Sequence, residues 1–249
     1  MKIAHQFLFG SLLTLFFFSG IQVLAQTTNQ VNLLWEANTY TPAFYRGHSA
    51  VTPGSKVTVV AAAFLYDGRG NRLDDASLNF DWRKDNRPIS SASGLGGKSL
   101  VFTAGAEGLA HKIEVTATGP SGQNASHDLL IPVRDPKILI YEDHPLTGPS
   151  YHQAILNNYN LVQPEITLIA EPYFFSQAEV KNRRLQYTWF LNKQATTFDQ
   201  AKPNRLTLVV PENQAGENEL QLNLSNLDNI LQAAKTKLAI TFNQSNFNF

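Results

Sequence analysis

The chain has 249 residues, 43% of them hydrophobic and only 16% charged, with 20 basic side chains against 20 acidic ones and no cysteine. That length and apolar content support one large domain or two of about 100 residues each, and exclude a disordered chain. The zero net charge argues against a nucleic-acid partner. The absence of cysteine excludes disulfides, thiolate metal sites, Fe–S clusters and cysteine nucleophiles.

Met1-Lys2 is followed by an apolar run from Phe7 to Leu24 that ends Val23-Leu24-Ala25, with Gln26 next. A positive start, an apolar stretch and small or aliphatic residues before the break predict a secretory signal peptide over residues 1–25, cut after Ala25. Retention of the run as a membrane anchor is the alternative. No later run is apolar for long enough to span a bilayer, so no transmembrane segment is expected in the mature chain. Cleavage removes Lys2 and no acid.

The remainder reads as one unit written twice, over 26–134 and 135–249. Val57-Thr58-Val59-Val60-Ala61 matches Ile166-Thr167-Leu168-Ile169-Ala170 at an offset of 109, and Phe80-Asp81-Trp82 matches Tyr187-Thr188-Trp189 at 107. Leu100-Val101-Phe102 and Leu206-Thr207-Leu208 are offset by 106, Ile113-Glu114-Val115 and Leu220-Gln221-Leu222 by 107, and Leu129-Leu130-Ile131 and Leu238-Ala239-Ile240 by 109. Leu34-Trp35-Glu36 and Ile140-Tyr141-Glu142 align at 106. Six blocks in one order at a nearly constant offset indicate a duplicated domain.

Each unit reads as β. Leu78, Phe80 and Trp82 alternate onto one face, as do Ile113 and Val115, and Leu220, Leu222 and Leu224. Gly- and Pro-rich turns separate the runs. Helical spacing is confined to Gln177–Asn182 and Leu227–Lys235. The pattern predicts an all-β chain of two tandem antiparallel sandwiches, with Trp82 and Trp189 in equivalent core positions.

A strand with a buried Trp, then a turn, then an alternating strand pair resembles the bacterial immunoglobulin-like and PKD-like domains. The stretch Asp67-Gly68-Arg69-Gly70-Asn71-Arg72-Leu73 is similar to the turn those domains place before the Trp strand. With Trp35-Glu36 and Tyr141-Glu142-Asp143-His144-Pro145-Leu146, the arrangement resembles exported bacterial proteins of tandem Ig-like domains over roughly 31–242. Neither unit carries the Trp-Asp-Phe-Gly-Asp-Gly run of PKD domains: Trp82 precedes Arg-Lys-Asp-Asn and Trp189 precedes Phe-Leu-Asn-Lys. The resemblance implies extracytoplasmic scaffolding or binding without catalysis, with an envelope or surface protein, or a glycan, as partner.

Candidate sites are few. Asp67, Asn71, Asp74 and Asp75 place oxygen ligands within nine residues, the one set suited to Ca²⁺, although a β-turn explains the same residues. No cofactor is expected otherwise. His144 and His152 follow Glu142 and Asp143, but at a spacing that fits no zinc-binding element. No Gly-x-Ser-x-Gly elbow occurs. Gly94-Leu95-Gly96-Gly97-Lys98-Ser99 lacks the spacing and the helix of a phosphate loop. No acid stands out by an apolar setting. Lys181-Asn182-Arg183-Arg184 is a short basic run. Tyr40, Phe44 and Tyr45, with Tyr173, Phe174 and Phe175, concentrate rings in or beside loops, suited either to stacking on a ligand or to packing between the domains. After the last expected strand comes a polar tail, 243–249, with phenylalanines at 247 and 249.

Overall fold

The computed structural model describes residues 28–105, 110–210 and 215–242. The predicted signal segment and the C-terminal tail lie outside the described residues.

The first unit holds β1 (Gln30–Ala37), β2 (Lys56–Phe64), β3 (Asn79–Lys84), β4 (Arg87–Pro88), β5 (Gly94–Leu95), β6 (Ser99–Thr103), β7 (Ala110–Thr118) and β8 (Asn124–Pro132). One sheet has the order β1-β2-β6 and the other β4-β3-β7-β8, with β5 beside β3. Val57, Val59 and Leu100 from the first sheet meet Phe80, Trp82, Ile113 and Val115 from the second in one buried core. Alternation is the cause: odd positions of β2 and even positions of β3 all face inward.

The second unit repeats the plan with β9 (Lys137–His144), β10 (Gly148–Pro149), β11 (Asn158–Leu161), β12 (Glu165–Tyr173), a short helix α1 (Gln177–Lys181), β13 (Leu185–Leu191), β14 (Gln194–Ala195), β15 (Arg205–Val209), β16 (Gly216–Asn226) and β17 (Ala233–Phe242). Its sheets run β10-β9-β12-β15 and β11-β17-β16-β13-β14. Both units also carry the parallel pairing of an early segment with the last strand. In the first it is a single bridge between Val51 and Val133, in the second the β11–β17 ladder. This split first strand, within a two-sheet antiparallel sandwich, is immunoglobulin-like. The chain is all-β, two Ig-like sandwiches in tandem.

The repeat extends to register. Trp82 pairs with Val115 as Trp189 pairs with Leu222, and Val59 pairs with Leu100 as Leu168 pairs with Leu206. Trp82 Nε1 donates to the Gly97 carbonyl at 2.7 Å and Trp189 Nε1 to the Pro203 carbonyl at 3.0 Å, with the two indoles 1% and 0% exposed. The residues after each Trp strand build a matched two-residue hairpin turn. Asp85 and Asn86 have φ of 50° and 63°, Asn192 and Lys193 48° and 67°, the left-handed pair that a type I′ turn requires.

Two local expectations change. Leu34-Trp35-Glu36 does not match Ile140-Tyr141-Glu142 at 106. Trp35 pairs with Val59, but Leu168 pairs with Glu142, so the strands correspond at 107. A one-residue slip exchanges faces: Trp35 leans on the first core, while Tyr141 points out of the second sandwich. The segment Leu227–Lys235 is not helical. Asn226 Oδ1 accepts the N–H groups of Asp228 and Asn229, and Asn229 Oδ1 that of Leu231. These side-chain turns offer the backbone an alternative to helix, and β17 begins at Ala233.

Candidate functional site

The rings singled out in the sequence gather where the two sandwiches meet. Beyond β1 the chain runs through 38–50, reaches the second unit and returns. Thr39 bridges Ser176 in antiparallel fashion: Tyr40 N–H donates to the Phe175 carbonyl at 2.7 Å and Phe174 N–H to the Tyr40 carbonyl at 2.7 Å. Phe174 sits at φ 66°, a left-handed conformation costly for a bulky side chain. Its carbonyl takes a further bond of 2.9 Å from Thr52 Oγ1, so both of its backbone polar groups are held from the first unit.

A second cluster forms on the outer face of the β9-β12 sheet. Tyr141, Ile169, Tyr173 and Phe174 are buried there under Phe44, Tyr45 and Tyr151. Phe44 stacks on Tyr151 with centroids 4.0 Å apart and meets Tyr141 edge-on at 5.9 Å, while Tyr45 meets Tyr173 and Phe174 edge-on. Phe175 is buried in the second core. Tyr173, Phe174 and Phe175 are thus buried in packing, and Tyr40, Phe44 and Tyr45 are half-buried against them.

Two polar devices lie in this seam, and neither was visible in the sequence. Gln232 is 0% exposed. Its Oε1 accepts from Ser176 N–H, Ser176 Oγ and Asn226 Nδ2, and its Nε2 donates to Thr52 Oγ1 and the Pro53 carbonyl. Asn229 Nδ2 also donates to the Pro53 carbonyl. Gln232 falls in the stretch read as helical, which hid it. The second device is Glu171, 8% exposed within the apolar run Leu168–Phe175. An acid in such a run was the available signal, and the expectation that no acid stands out is corrected here. Tyr151 donates to Glu171 Oε1 at 3.0 Å, and Tyr40 from the first unit and Arg205 lie near it. Burial pushes the Glu171 carboxyl above its ordinary range, against the opposing pull of Tyr151, Tyr40 and Arg205. Burial likewise raises Tyr40, Tyr141, Tyr151 and Tyr173, and the negative charge of Glu171 adds to it. The Tyr141 and Tyr173 hydroxyls share a bond of 2.8 Å.

The remaining candidates are occupied locally. Asp67 Oδ1 accepts from the N–H groups of Arg69 and Asn71, and Asp67 Oδ2 from Asn71 Nδ2. Those bonds from Asn71 hold the Asp67 carboxyl below its usual range. Asp74 accepts from Ala76 N–H, and Asp75 pairs with Arg72 and Lys98. These four side chains are therefore taken up by separate local partners rather than facing one shared point, and among the described residues no three His, Asp or Glu gather as a metal set. His144 ends β9 and His152 is exposed on the following turn. Gly94-Leu95 forms β5 rather than a free loop. In the basic run, Arg184 makes a two-pronged pair with Asp228. No helix among the described residues is long and apolar enough to cross a membrane.

No protein-family model matches the chain, and no curated protein matches it. Solved structures do. The fibronectin(III)-like modules of Clostridium thermocellum CbhA are 12% identical over 87% of this chain and 97% of theirs, with a TM-score of 0.29. The Ig1-2 module of the Drosophila receptor protein tyrosine phosphatase DLAR is 11% identical over 86% and 99%, with a TM-score of 0.27. Murine CEACAM1b is 13% identical over 85% and 99%, with a TM-score of 0.29. At these scores the Ig-like assignment stands on strand order and register within each sandwich.

Proposed function

We propose that the chain is an exported, non-enzymatic Ig-like module that acts as a structural spacer or protein-interaction component of a bacterial envelope or cell surface. The observation that supports this reading is the seam. Backbone bridge, aromatic cluster and buried amide network together fix one sandwich on the other, which suits a part that holds its ends at a set distance and angle. The buried carboxylate of Glu171 is ringed by tyrosines and closed off from solvent, so it serves packing and has no route to a substrate. The predicted signal segment supplies the export. Fractionation of a bacterium producing the tagged full chain tests the reading. The expected result is a chain that begins at Gln26, is recovered in the envelope or medium, and gives discrete protein cross-links in situ. A full-length chain confined to the cytoplasm would overturn it.

A further inference from the structure

The hairpin that joins β16 to β17 ends in a turn whose side chains the sandwich does not need. In the first unit the equivalent hairpin, between β7 and β8, closes with Gly119-Pro120-Ser121-Gly122, and Gly119 N–H donates to the Gln123 carbonyl at 2.7 Å. In the second unit the turn runs from Asn226 to Gln232 and carries Leu227, Ile230 and Leu231, which are 52%, 89% and 49% exposed. A short polar turn closes the one pair of strands, so three solvated aliphatic side chains are not required to close the other.

The turn is held in shape from inside. Asn226 N–H donates to the Gln232 carbonyl at 3.0 Å and Gln232 N–H to the Asn229 carbonyl at 2.9 Å. Asn226 Oδ1 accepts from the N–H groups of Asp228 and Asn229, and Asn229 Oδ1 from that of Leu231. Asn226 and Gln232 are buried, and the aliphatic side chains between them are left in solvent. The basic run singled out in the sequence lies alongside. Leu227 N–H donates to the Arg184 carbonyl at 3.1 Å, and the Arg184 guanidinium clasps Asp228 with bonds of 3.0 and 2.9 Å. Lys181 and Arg183 are exposed on the same connection, and among the described residues neither makes an ion pair. The acids of this corner are Asp228, already paired, and Glu179, half-buried in α1.

We infer that this corner docks on an anionic lipid bilayer. A side chain as exposed as Ile230 stands on a convex tip, and a convex aliphatic tip needs a partner that yields around it. Acyl chains do so, and lipid phosphates at the same boundary complement the charge of Lys181 and Arg183. Buried apolar area and attraction to anionic lipid are the two contributions with which interfacial binding scales, and the turn and the basic run supply one each. The inference goes beyond the spacer reading and does not rest on it, because vesicle binding is a property of the isolated protein wherever the cell sends it.

Vesicle sedimentation tests it. The chain from Gln26 to Phe249 is mixed with vesicles of phosphatidylcholine alone, or of phosphatidylcholine and phosphatidylglycerol in equal parts. It is expected to bind the mixed vesicles, less so in high salt, and to bind phosphatidylcholine about tenfold more weakly. The Leu227→Ser/Ile230→Ser/Leu231→Ser variant should fall to background, and Lys181→Gln/Arg183→Gln should lose the preference for the mixed vesicles. Leu34→Ser, at an exposed leucine of the first unit, should change neither. Melting curves of the variants confirm that they fold. Because the chain has no cysteine, a polarity-sensitive dye on Ile230→Cys reads insertion directly. Its emission should shift to the blue on mixed vesicles, while the same dye on Asp128→Cys should not respond. Absence of binding to the mixed vesicles, binding that the triple serine variant keeps, or a lipid preference that the charge variant keeps would overturn the inference.

Discussion

Gln232 and Thr52, 180 positions apart and each fully buried, share a hydrogen bond of 3.0 Å across the seam between the sandwiches. Gln232→Ala would leave Ser176 N–H and Asn226 Nδ2 without a partner, and an unsatisfied buried group costs about 1–3 kcal/mol. The variant is expected to lose about 2–4 kcal/mol in urea unfolding. Gln232→Glu should do little better, because a carboxylate cannot donate to Thr52 and Pro53.

Gly54→Ala is expected to loosen the same seam. Thr52 to Ser55 form a turn closed by the Ser55 N–H to Thr52 carbonyl bond at 3.0 Å, with Gly54 at φ 76°. Pro and Gly occupy the central positions a type II turn gives them. An added methyl would meet the Asn229 amide and strain the backbone. A destabilisation of about 1–3 kcal/mol is expected by denaturant titration.

Glu171 gives the seam a pH dependence. Its folded pKa is raised by burial, so between the unfolded value of about 4.5 and the folded one the native state binds more protons than the unfolded state. Stability should therefore fall as pH rises through that window. Glu171→Gln removes the charge and keeps an acceptor for Tyr151. The variant should be at least as stable as the parent at pH 7, with the difference closing below about pH 4.5. Melts from pH 3.5 to 7.5 measure it.

Asp85 acts in the opposite sense. Burial raises its pKa, but bonds from Lys84, His111 and the Lys112 N–H outweigh that and bring it down to about 2. Its contribution is present above the ordinary carboxylate range and is lost as pH falls toward about 2. Asp85→Asn should flatten the acid limb of the unfolding profile.

Trp82→Ala and Trp189→Ala should each cost about 3–5 kcal/mol. Thermal unfolding of both variants, measured side by side, checks the equivalence of the two positions.

The alternation around Trp82 and Trp189 made both sandwiches legible, because a period of two states which face of a strand is buried. The offset between units was legible for the same reason, since matching registers bury matching positions. What covers a face is not encoded in its period. Tyr141 and Tyr173 look outward from their own sandwich and are covered by Phe44 and Tyr45 from the other, together with Tyr151 from their own. Gln232 carried no pattern, as an amide in a turn gains meaning only from Thr52 and Ser176 around it. The slip between β1 and β9 was hidden because Trp35 and Tyr141 are both ring residues next to a glutamate.

The central claim is that the two sandwiches are held at one fixed relation. The chain has no cysteine, so Asp128→Cys in the first unit and Lys235→Cys in the second allow clean spin labelling of two exposed positions. Pulsed dipolar spectroscopy should give one narrow distance distribution, and the same measurement on Gln232→Ala should give a broader one. A broad distribution in the otherwise unaltered chain would contradict the account.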